Sequence, residues 1–209
     1  ILKLVIGIIK KRGGIRMEEV KASTGKQSAA SRILNAAEEL FYNEGIQTVG
    51  IDRIVKESNV ALNTMYKHFP SKDKLIECYL KDRDINWMRW LERYISKESE
   101  PREKILAIFD ALNDWFNDEN FRGCAFINAS GELGATKPFI IEISKAHKEK
   151  VCNEIIKILS NTDRKQIEKI AKQIMILIEG AIVQAYINED KDAAIYAKEM
   201  AEVIIDSTV

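Results

Sequence analysis

Apolar residues recur at every third or fourth position along most of this chain, which is the spacing of an amphipathic helix. In the segment RILNAAEELFYNEG, Ile33, Ala36 and Leu40 fall on one face, and Gly45 follows as a residue typical of a helix C-terminus. Only three prolines interrupt this pattern. The sequence therefore predicts an all-α protein.

Two short helices separated by a turn follow the first one. The segment IDRIVKESN places Ile54 on an apolar side and closes at Asn59. The next segment, NVALNTMYKHFPSKDKL, has large apolar or aromatic side chains at positions i, i+3, i+4 and i+7, namely Leu62, Met65, Tyr66 and Phe69. This helix ends before Pro70, because the residue preceding proline avoids helical geometry, and Ser71 is well placed to cap another helix.

The rest of the chain predicts longer helices. Together with the first three, this gives about nine helices in the chain. One starts near Lys72 and runs to the linker SKESEPREK, where Pro101 suits a first helical turn. Another starts at Pro138, and the apolar segment IAKQIMILIEGAIVQAYI belongs to a helix capped near Asp163. The segments between and after them are REKILAIFDALNDWFNDE, GCAFINASGELG and DAAIYAKEMAEVIIDSTV.

Composition is ordinary for a globular protein of 209 residues, with 46% hydrophobic and 31% charged residues. The formal net charge is zero, so any attraction to nucleic acid must come from local placement of charge. Around the third helix the basic side chains outnumber the acidic ones; they are Arg53, Lys56, Lys67, Lys72 and Lys74, against Asp52, Glu57 and Asp73.

The three cysteines, Cys78, Cys124 and Cys152, lie far apart, which favours reduced thiols in a cytoplasmic protein over disulfides or a zinc site. No Ser/His/Asp or Cys/His motif and no glycine-rich phosphate loop is present, and the only histidines are His68 and His147. We therefore expect no enzymatic activity, no metal and no cofactor.

The first residues, ILKLVIGIIKKRGGIRM, are too short an apolar run to span a bilayer and lack the basic segment that opens a signal peptide. A membrane-surface segment and an extra turn packed on the body are two interpretations. We favour a third, in which Met17 is the natural start and residues 1–16 are translated leader, because KKRGG can be encoded by a purine-rich tract like a ribosome-binding site.

The segments ILNAAEELFYNEG, IDRIV and NVALNTMYKHFPSKDKL, taken in this order and spacing, resemble the N-terminal DNA-binding domain of the TetR family of bacterial transcriptional repressors. The resemblance covers Ile33 to Leu75, about a fifth of the chain. It implies a three-helix head with a helix–turn–helix at residues 28–75, after a leader or extra N-terminal segment at 1–27. Residues 76–209 then form a larger helical domain that binds an effector and dimerises.

In a helix–turn–helix the second helix enters the major groove, and here that helix is Leu62–His68. In this position Asn63 can pair with an adenine edge, and Thr64 can bond a base or a phosphate or contact a thymine methyl. The resemblance implies phosphate contacts from Tyr66 and Lys72. Further phosphate candidates are Lys67 and His68 on the outward side, the helix start at Ser71, and Thr48 as a weaker one in place of the hydroxyl absent at Gly50.

Tyr66 and Leu62 leave alternatives open, and Gly50 and Ala61 depart from the family pattern. Spacing places Tyr66 on the apolar face, whereas the resemblance implies that its hydroxyl contacts the DNA backbone. Both can hold, because tyrosine can bury its ring and expose its hydroxyl. Leu62 either reads a thymine methyl or extends the core. Gly50 and Ala61 stand where the family has hydroxyl residues that cap helices, and alanine is a poor cap.

The C-terminal domain offers aromatic and polar candidates for an effector pocket, although aromatic residues at helical spacing are more often plain core. The candidates are Trp87, Trp90, Phe109, Trp115, Phe126, Asn128, Met175 and Glu179. Glu132 and His147 are further polar groups near apolar segments. For these polar groups we expect exposure, above all for His147 within SKAHKEK.

The last two helices are apolar around much of their circumference, so they need partners on two sides. We expect one partner to be the same helix pair of a second subunit, through Ile178, Ile182, Tyr186, Tyr196, Met200 and Val203. The resulting hypothesis is a homodimeric repressor on a palindromic DNA operator, released by a small apolar or aromatic effector. The alternative is a DNA-binding regulator of the same fold without a small-molecule effector.

Overall fold

The structure, a computed structural model, describes residues 27–160 and 164–207. These residues form nine helices and no strand, which confirms the predicted all-α class. The expectations about the N-terminal leader, the start at Met17 and the cap at Asp163 lie outside the described residues. In chain order the helices are α1 Ala29–Glu44, α2 Ile51–Ser58, α3 Leu62–His68, α4 Lys72–Ile95, α5 Pro101–Phe116, α6 Ala125–Leu133, α7 Pro138–Ile158, α8 Arg164–Ile187 and α9 Ala193–Asp206.

Helices α1, α2 and α3 form a small N-terminal head. The Ser28 hydroxyl accepts a hydrogen bond from the Ser31 amide and so caps α1, which ends at Gly45 with a φ of 86°. Asn59 adopts the left-handed conformation that closes α2 and turns the chain into α3. The apolar sides of these helices meet inside the head, where Ile33, Ile54 and Met65 are fully buried.

Helix α4 joins this head to the C-terminal body without interruption, so the predicted boundary between residues 75 and 76 falls inside a continuous helix. It packs on α1 in the head and on α5 and α7 in the body. Ser71 caps its N-terminus by accepting a hydrogen bond from the Lys74 amide, as its position in the sequence predicts. The head and the body therefore share one apolar core.

The body is a bundle in which α5, α7 and α9 surround α8. Within the described ranges, α8 is the one helix long and apolar enough by length and composition to cross a membrane. Here it is a core helix, because its isoleucines at positions 167, 170, 174, 178 and 182 are buried against its neighbours.

Candidate nucleic-acid interface and internal cavity

Helix α3 has two different sides. Met65 points into the core of the head, while Asn63, Lys67 and His68 are exposed and Thr64 is half-buried. The apolar side fixes the helix on the head, and the polar side is left open to a partner. This is the arrangement in which a recognition helix can enter a major groove.

Tyr66 and Leu62 do not extend the core of the head. Tyr66 is 46% exposed and Leu62 is 44% exposed, so neither belongs to the core of the head. Spacing alone would have placed Tyr66 beside Met65, but α3 is a short helix and only one narrow strip of it meets α1 and α2. Both side chains therefore lie on the open side with Asn63 and Lys67.

Two of the other predicted phosphate contacts, Thr48 and Lys72, are engaged within the subunit. The Lys72 ammonium donates to the Ile46 carbonyl over 2.6 Å, and burial lowers the pKa of this lysine. The Thr48 hydroxyl donates to the carbonyls of Gly45 and Glu44 at the end of α1. Lys72 and Thr48 therefore hold the α1–α2 connection.

The basic side chains near α3 are partly neutralised by neighbouring carboxylates. Arg53 pairs with Glu44 over 2.9 Å, and Lys74 pairs with Glu77 over 3.0 Å. Among the described residues, no carboxylate lies within ion-pair distance of Lys67. Lys67 is thus the cation of α3 that is available for a phosphate.

Three sets of contacts connect the head to the body. The buried Tyr42 hydroxyl donates to the Gly123 carbonyl over 2.9 Å and accepts from the Arg122 amide over 2.9 Å. The Glu132 carboxylate accepts from the Gln47 amide over 2.9 Å, and the Gln47 side chain donates to the Glu132 carbonyl. Glu132 is therefore a contact between α6 and the head, not a group lining the internal cavity.

The third set of contacts joins α4 to α1 and to the start of α7. Arg83 on α4 donates to the Glu38 carboxylate on α1 over 3.1 Å, and its guanidinium carbon lies 4.0 Å from the centre of the Tyr42 ring. Lys137, just before α7, pairs with Asp73 on α4 over 2.7 Å. Movement of the body helices can thus reach the head through α4 and α6.

The body encloses a narrow internal cavity between α4, α5, α6, α7 and α8. Its lining residues are Arg83, Trp87, Trp115, Cys124, Ala125, Phe126, His147, Lys148, Val151, Ile178, Glu179 and Ile182. The room inside it for water-sized molecules is about 10 Å³, enough for about one water.

The predicted pocket residues divide into three groups. Trp87, Trp115, Phe126 and Glu179 line the cavity. Trp90 packs on Trp87 and Trp115 with ring centres 5.6 and 6.1 Å apart, and Phe109 is buried core. Met175 is half-buried, and the Asn128 side chain donates to the Arg122 carbonyl over 2.8 Å; neither residue is among those lining the cavity.

The prediction that His147 is exposed is wrong. Its ring is 2% exposed and stacks on Phe126 with ring centres 3.9 Å apart, while its Nδ1 lies 2.9 Å from an Asp84 carboxylate oxygen. Burial is the main cause that lowers its pKa to about 4, so the ring is neutral near pH 7 and donates its Nδ1–H to Asp84. The charged residues Lys145, Glu149 and Lys150 of SKAHKEK are exposed on the other faces of α7, which is why composition misled the prediction.

Sequence reasoning also missed the buried charges of the cavity wall. Arg83 lies three residues after Leu80 and four before Trp87, on the apolar face of α4, and this break in the hydrophobic pattern was the available signal. Lys148 lies 2.7 Å from the Glu179 carboxylate and 3.4 Å from the Cys124 sulfur.

A stripe of exposed apolar side chains runs along α8 and α9. We call it the α8–α9 stripe; its members are Ile176, Val183, Tyr186, Ile187, Ile195, Tyr196, Met200 and Val203. It contains four of the six predicted interface residues. Ile178 and Ile182 do not belong to it, because both are buried within the subunit against the cavity, and this part of the prediction is wrong.

The family profile described as bacterial regulatory proteins, tetR family, matches residues 33–78. A transcriptional regulator from Staphylococcus aureus is 41% identical over 56 residues, which are 26% of this chain and 29% of that protein. The helix–turn–helix regulator YxaF of Bacillus subtilis is 25% identical over 187 residues, covering 87% of this chain and 97% of YxaF.

Among solved structures, a TetR-family transcriptional regulator from Streptomyces coelicolor has 27% sequence identity and a TM-score of 0.79. The superposition covers 87% of this chain and 90% of that one. The likeness therefore extends through both the head and the body.

Proposed function

Because the chain belongs to the TetR family of bacterial transcriptional regulators, which bind DNA and are not enzymes, we propose that it is a cytoplasmic, homodimeric repressor acting on a palindromic operator. The observation that carries this proposal is the open polar side of α3, whose opposite side is fixed in the core of the head by the buried Met65. The helix presents Asn63, Thr64, Tyr66 and Lys67 together, and its short length fits one major groove.

These four side chains divide into base-reading and phosphate-binding groups. Asn63 and Thr64 lie in the first turn of α3, the part of a recognition helix that reaches base edges; an amide pairs well with adenine. Tyr66 and Lys67 lie beside them and supply a hydroxyl and a free ammonium to phosphates. Phosphate contacts provide affinity, and base contacts choose the sequence.

The test of this surface is operator binding by variants of exposed residues. Asn63→Ala should lower the preference for operator over random duplex, because alanine cannot pair with a base edge; a good pair contributes about 1–3 kcal/mol of discrimination. Lys67→Ala should weaken binding to every duplex and reduce the slope of log affinity against log salt by about one for each phosphate that the ammonium neutralises. Lys169→Ala, at an exposed lysine of α8, is the control and should change neither. Unchanged specificity in Asn63→Ala would place the DNA surface elsewhere.

The α8–α9 stripe supports the dimer. Ile176, Val183 and Ile187 lie along one exposed line of α8. Tyr196, Met200 and Val203 lie along one exposed line of α9, which packs on α8. Monomeric soluble proteins rarely expose such a surface, and a two-fold axis would bury it against its own copy. The same axis would pair two heads on a palindrome.

A single charge on this surface tests the dimer. Ile187→Glu should produce monomers in sedimentation velocity, because the carboxylate would be buried without a partner in the interface. Ile85→Glu makes the same change at an exposed isoleucine of α4, outside the α8–α9 stripe, and should leave the dimer intact. Dimers that persist in Ile187→Glu would refute this interface.

We further propose that a small aromatic or apolar effector releases the repressor by occupying the internal cavity. The three tryptophans of the chain lie in or beside the cavity, among other aromatic rings, which suits such a ligand. The present room of about 10 Å³ admits no such molecule, so the effector would have to stabilise a more open arrangement of the body.

The narrowness of the cavity also favours a second candidate, a regulator of the same fold that responds to no small molecule. The two are separated by titrating candidate effectors into the complex of protein and operator while following tryptophan fluorescence and operator release. An effector-responsive repressor gives a saturable change in both signals at the same concentration. A regulator without an effector gives neither signal with any compound.

A further inference from the structure

The cavity wall contains a buried cation with unused hydrogen-bonding capacity. Arg83 is 6% exposed and lines the cavity, yet its Nη2 is buried and has no hydrogen-bond partner in the described part of the chain. A buried donor without an acceptor costs about 1–3 kcal/mol, more when it is charged, so this nitrogen is a group that a ligand could satisfy.

The indole N–H of Trp115 is a second donor in the same wall. It makes no hydrogen bond of normal geometry within the described part of the chain, and the acceptor that it approaches is the Tyr42 hydroxyl. Trp115 and Trp87 both line the cavity, with their rings at 71° to each other. Two donors with free capacity and several ring faces therefore border one space.

The carboxylates around the cavity are all engaged. Glu38 accepts from Arg83, Glu179 pairs with Lys148 over 2.7 Å, and Asp84 accepts from Lys150 and from His147. Three cations thus balance three carboxylates, and no negative charge is left for a cationic ligand. The wall selects for an oxygen acceptor and against an ammonium group.

We propose that the effector is a flat aromatic compound carrying a carbonyl or carboxylate oxygen, and that Arg83 Nη2 donates to this oxygen. This assignment rests on the proposed effector-responsive function and narrows it to one chemical class. The aromatic part of the compound lies against Trp87 and Trp115, and the oxygen replaces the missing acceptor of the guanidinium.

The same guanidinium gives the ligand a path to the head. Arg83 Nη1 holds Glu38, and its plane lies over Tyr42; both of these residues belong to α1. An acceptor bound at Nη2 competes for the orientation of the guanidinium and so changes the contact between α4 and α1. Glu38 is thus a positioning residue for the response, not a ligand contact.

The test compares four probes of similar size on the full-length protein: benzoate, acetophenone, ethylbenzene and benzyltrimethylammonium. Binding is followed by quenching of tryptophan fluorescence and by calorimetry. We expect at least one of the two oxygen-bearing probes to bind ~10-fold or more tightly than ethylbenzene, the difference made by one charge-assisted hydrogen bond. The cation should bind no better than ethylbenzene.

Arg83→Met should remove the preference for an oxygen-bearing probe over ethylbenzene, because methionine has no hydrogen-bond donor. The affinity for ethylbenzene itself should stay within about twofold, because methionine keeps the apolar stem. Arg83→Lys covers the case in which Arg83→Met fails to fold, since it keeps a cation beside Glu38 but lacks the forked donor, and it should also lose the preference. Arg89→Met, at an exposed arginine of the same helix, should retain it.

Glu38→Gln tests the path to the head. This variant should still prefer the oxygen probes but should release operator less in response to them, because the link from Arg83 to α1 is weakened. Equal binding of all four probes, no binding of any probe, or a preference that survives in Arg83→Met would overturn the assignment. Operator binding of the same preparations without probe tests the repressor function separately.

Discussion

Tyr42→Phe tests the junction between the head and the body with the smallest possible change. The Tyr42 ring is buried on α1, and its hydroxyl joins two backbone groups of the turn before α6. Phenylalanine keeps the ring and its contact with the Arg83 guanidinium, since a phenyl face also attracts a cation. The substitution therefore removes two hydrogen bonds and little else.

The expected decrease in stability follows from what each partner does afterwards. The Gly123 carbonyl is buried and would be left without its donor, at a cost of about 1–3 kcal/mol. The Arg122 amide lies in a partly exposed position where water can replace the hydroxyl, so removal of its acceptor adds about 0.5–1 kcal/mol. We expect a decrease in the free energy of unfolding of about 2–3 kcal/mol.

Urea unfolding at one fixed protein concentration measures this decrease, since dimer stability depends on concentration. Tyr94→Phe is the matched control, because its hydroxyl donates to the exposed Asp114 carboxylate over 2.7 Å and should contribute less than about 1 kcal/mol. Decreases of the same size in the two variants would refute the reasoning that burial of the Gly123 carbonyl sets the cost.

Three further predictions concern the cap of α3, the buried histidine and the contact between α6 and the head. Ala61→Ser should stabilise the head by about 1 kcal/mol in thermal unfolding, because α3 begins without a side-chain cap; an unchanged melting temperature would argue against this. The folded-state pKa of His147, about 4, lies below its unfolded value near 6.5, so stability should be full above pH 6.5 and fall by about 3 kcal/mol as pH drops to 4. His147→Gln should lose most of this dependence of stability on pH, and His68→Gln should keep it. Equal profiles of stability against pH in the two variants would show that His147 is not its cause. Glu132→Ala should lower operator affinity several-fold with little change in stability, because an exposed contact that orders the head is removed; unchanged affinity in a gel-shift titration would show that this contact does not position the head.

In the head, the helix ends predicted from glycine, proline and apolar spacing agree with the structure. The observed α3 spans the predicted Leu62–His68, and α1 ends at the predicted Gly45, because glycine, proline and the apolar spacing act over a few residues. The resemblance also assigned Tyr66 to the open side, where spacing alone assigned it to the core. The neighbouring helices decide which strip of a short helix is buried. The spacing of apolar residues within that helix carries no information about those neighbours.

The body shows the limit of sequence reasoning. Helix α8 is apolar on two sides, so the pattern predicted two partners but could not say that Ile178 and Ile182 face inward while Ile176 and Ile187 face outward. His147 was mistaken for a surface residue because its partner Asp84 lies on another helix, 63 positions away in the chain. Polar pairs of this kind depend on packing between helices, which a single sequence does not reveal.

The central claim is that the open side of α3 recognises one operator sequence, and protection of the promoter region beside its own gene tests it most directly. The account predicts a protected palindrome with two half-sites about one helical turn or a multiple of it apart, which disappears when Asn63 and Tyr66 are both changed to alanine in a folded dimer. Equal protection by that double variant, or no preference of the native protein for this region over random duplex at moderate salt, would contradict it.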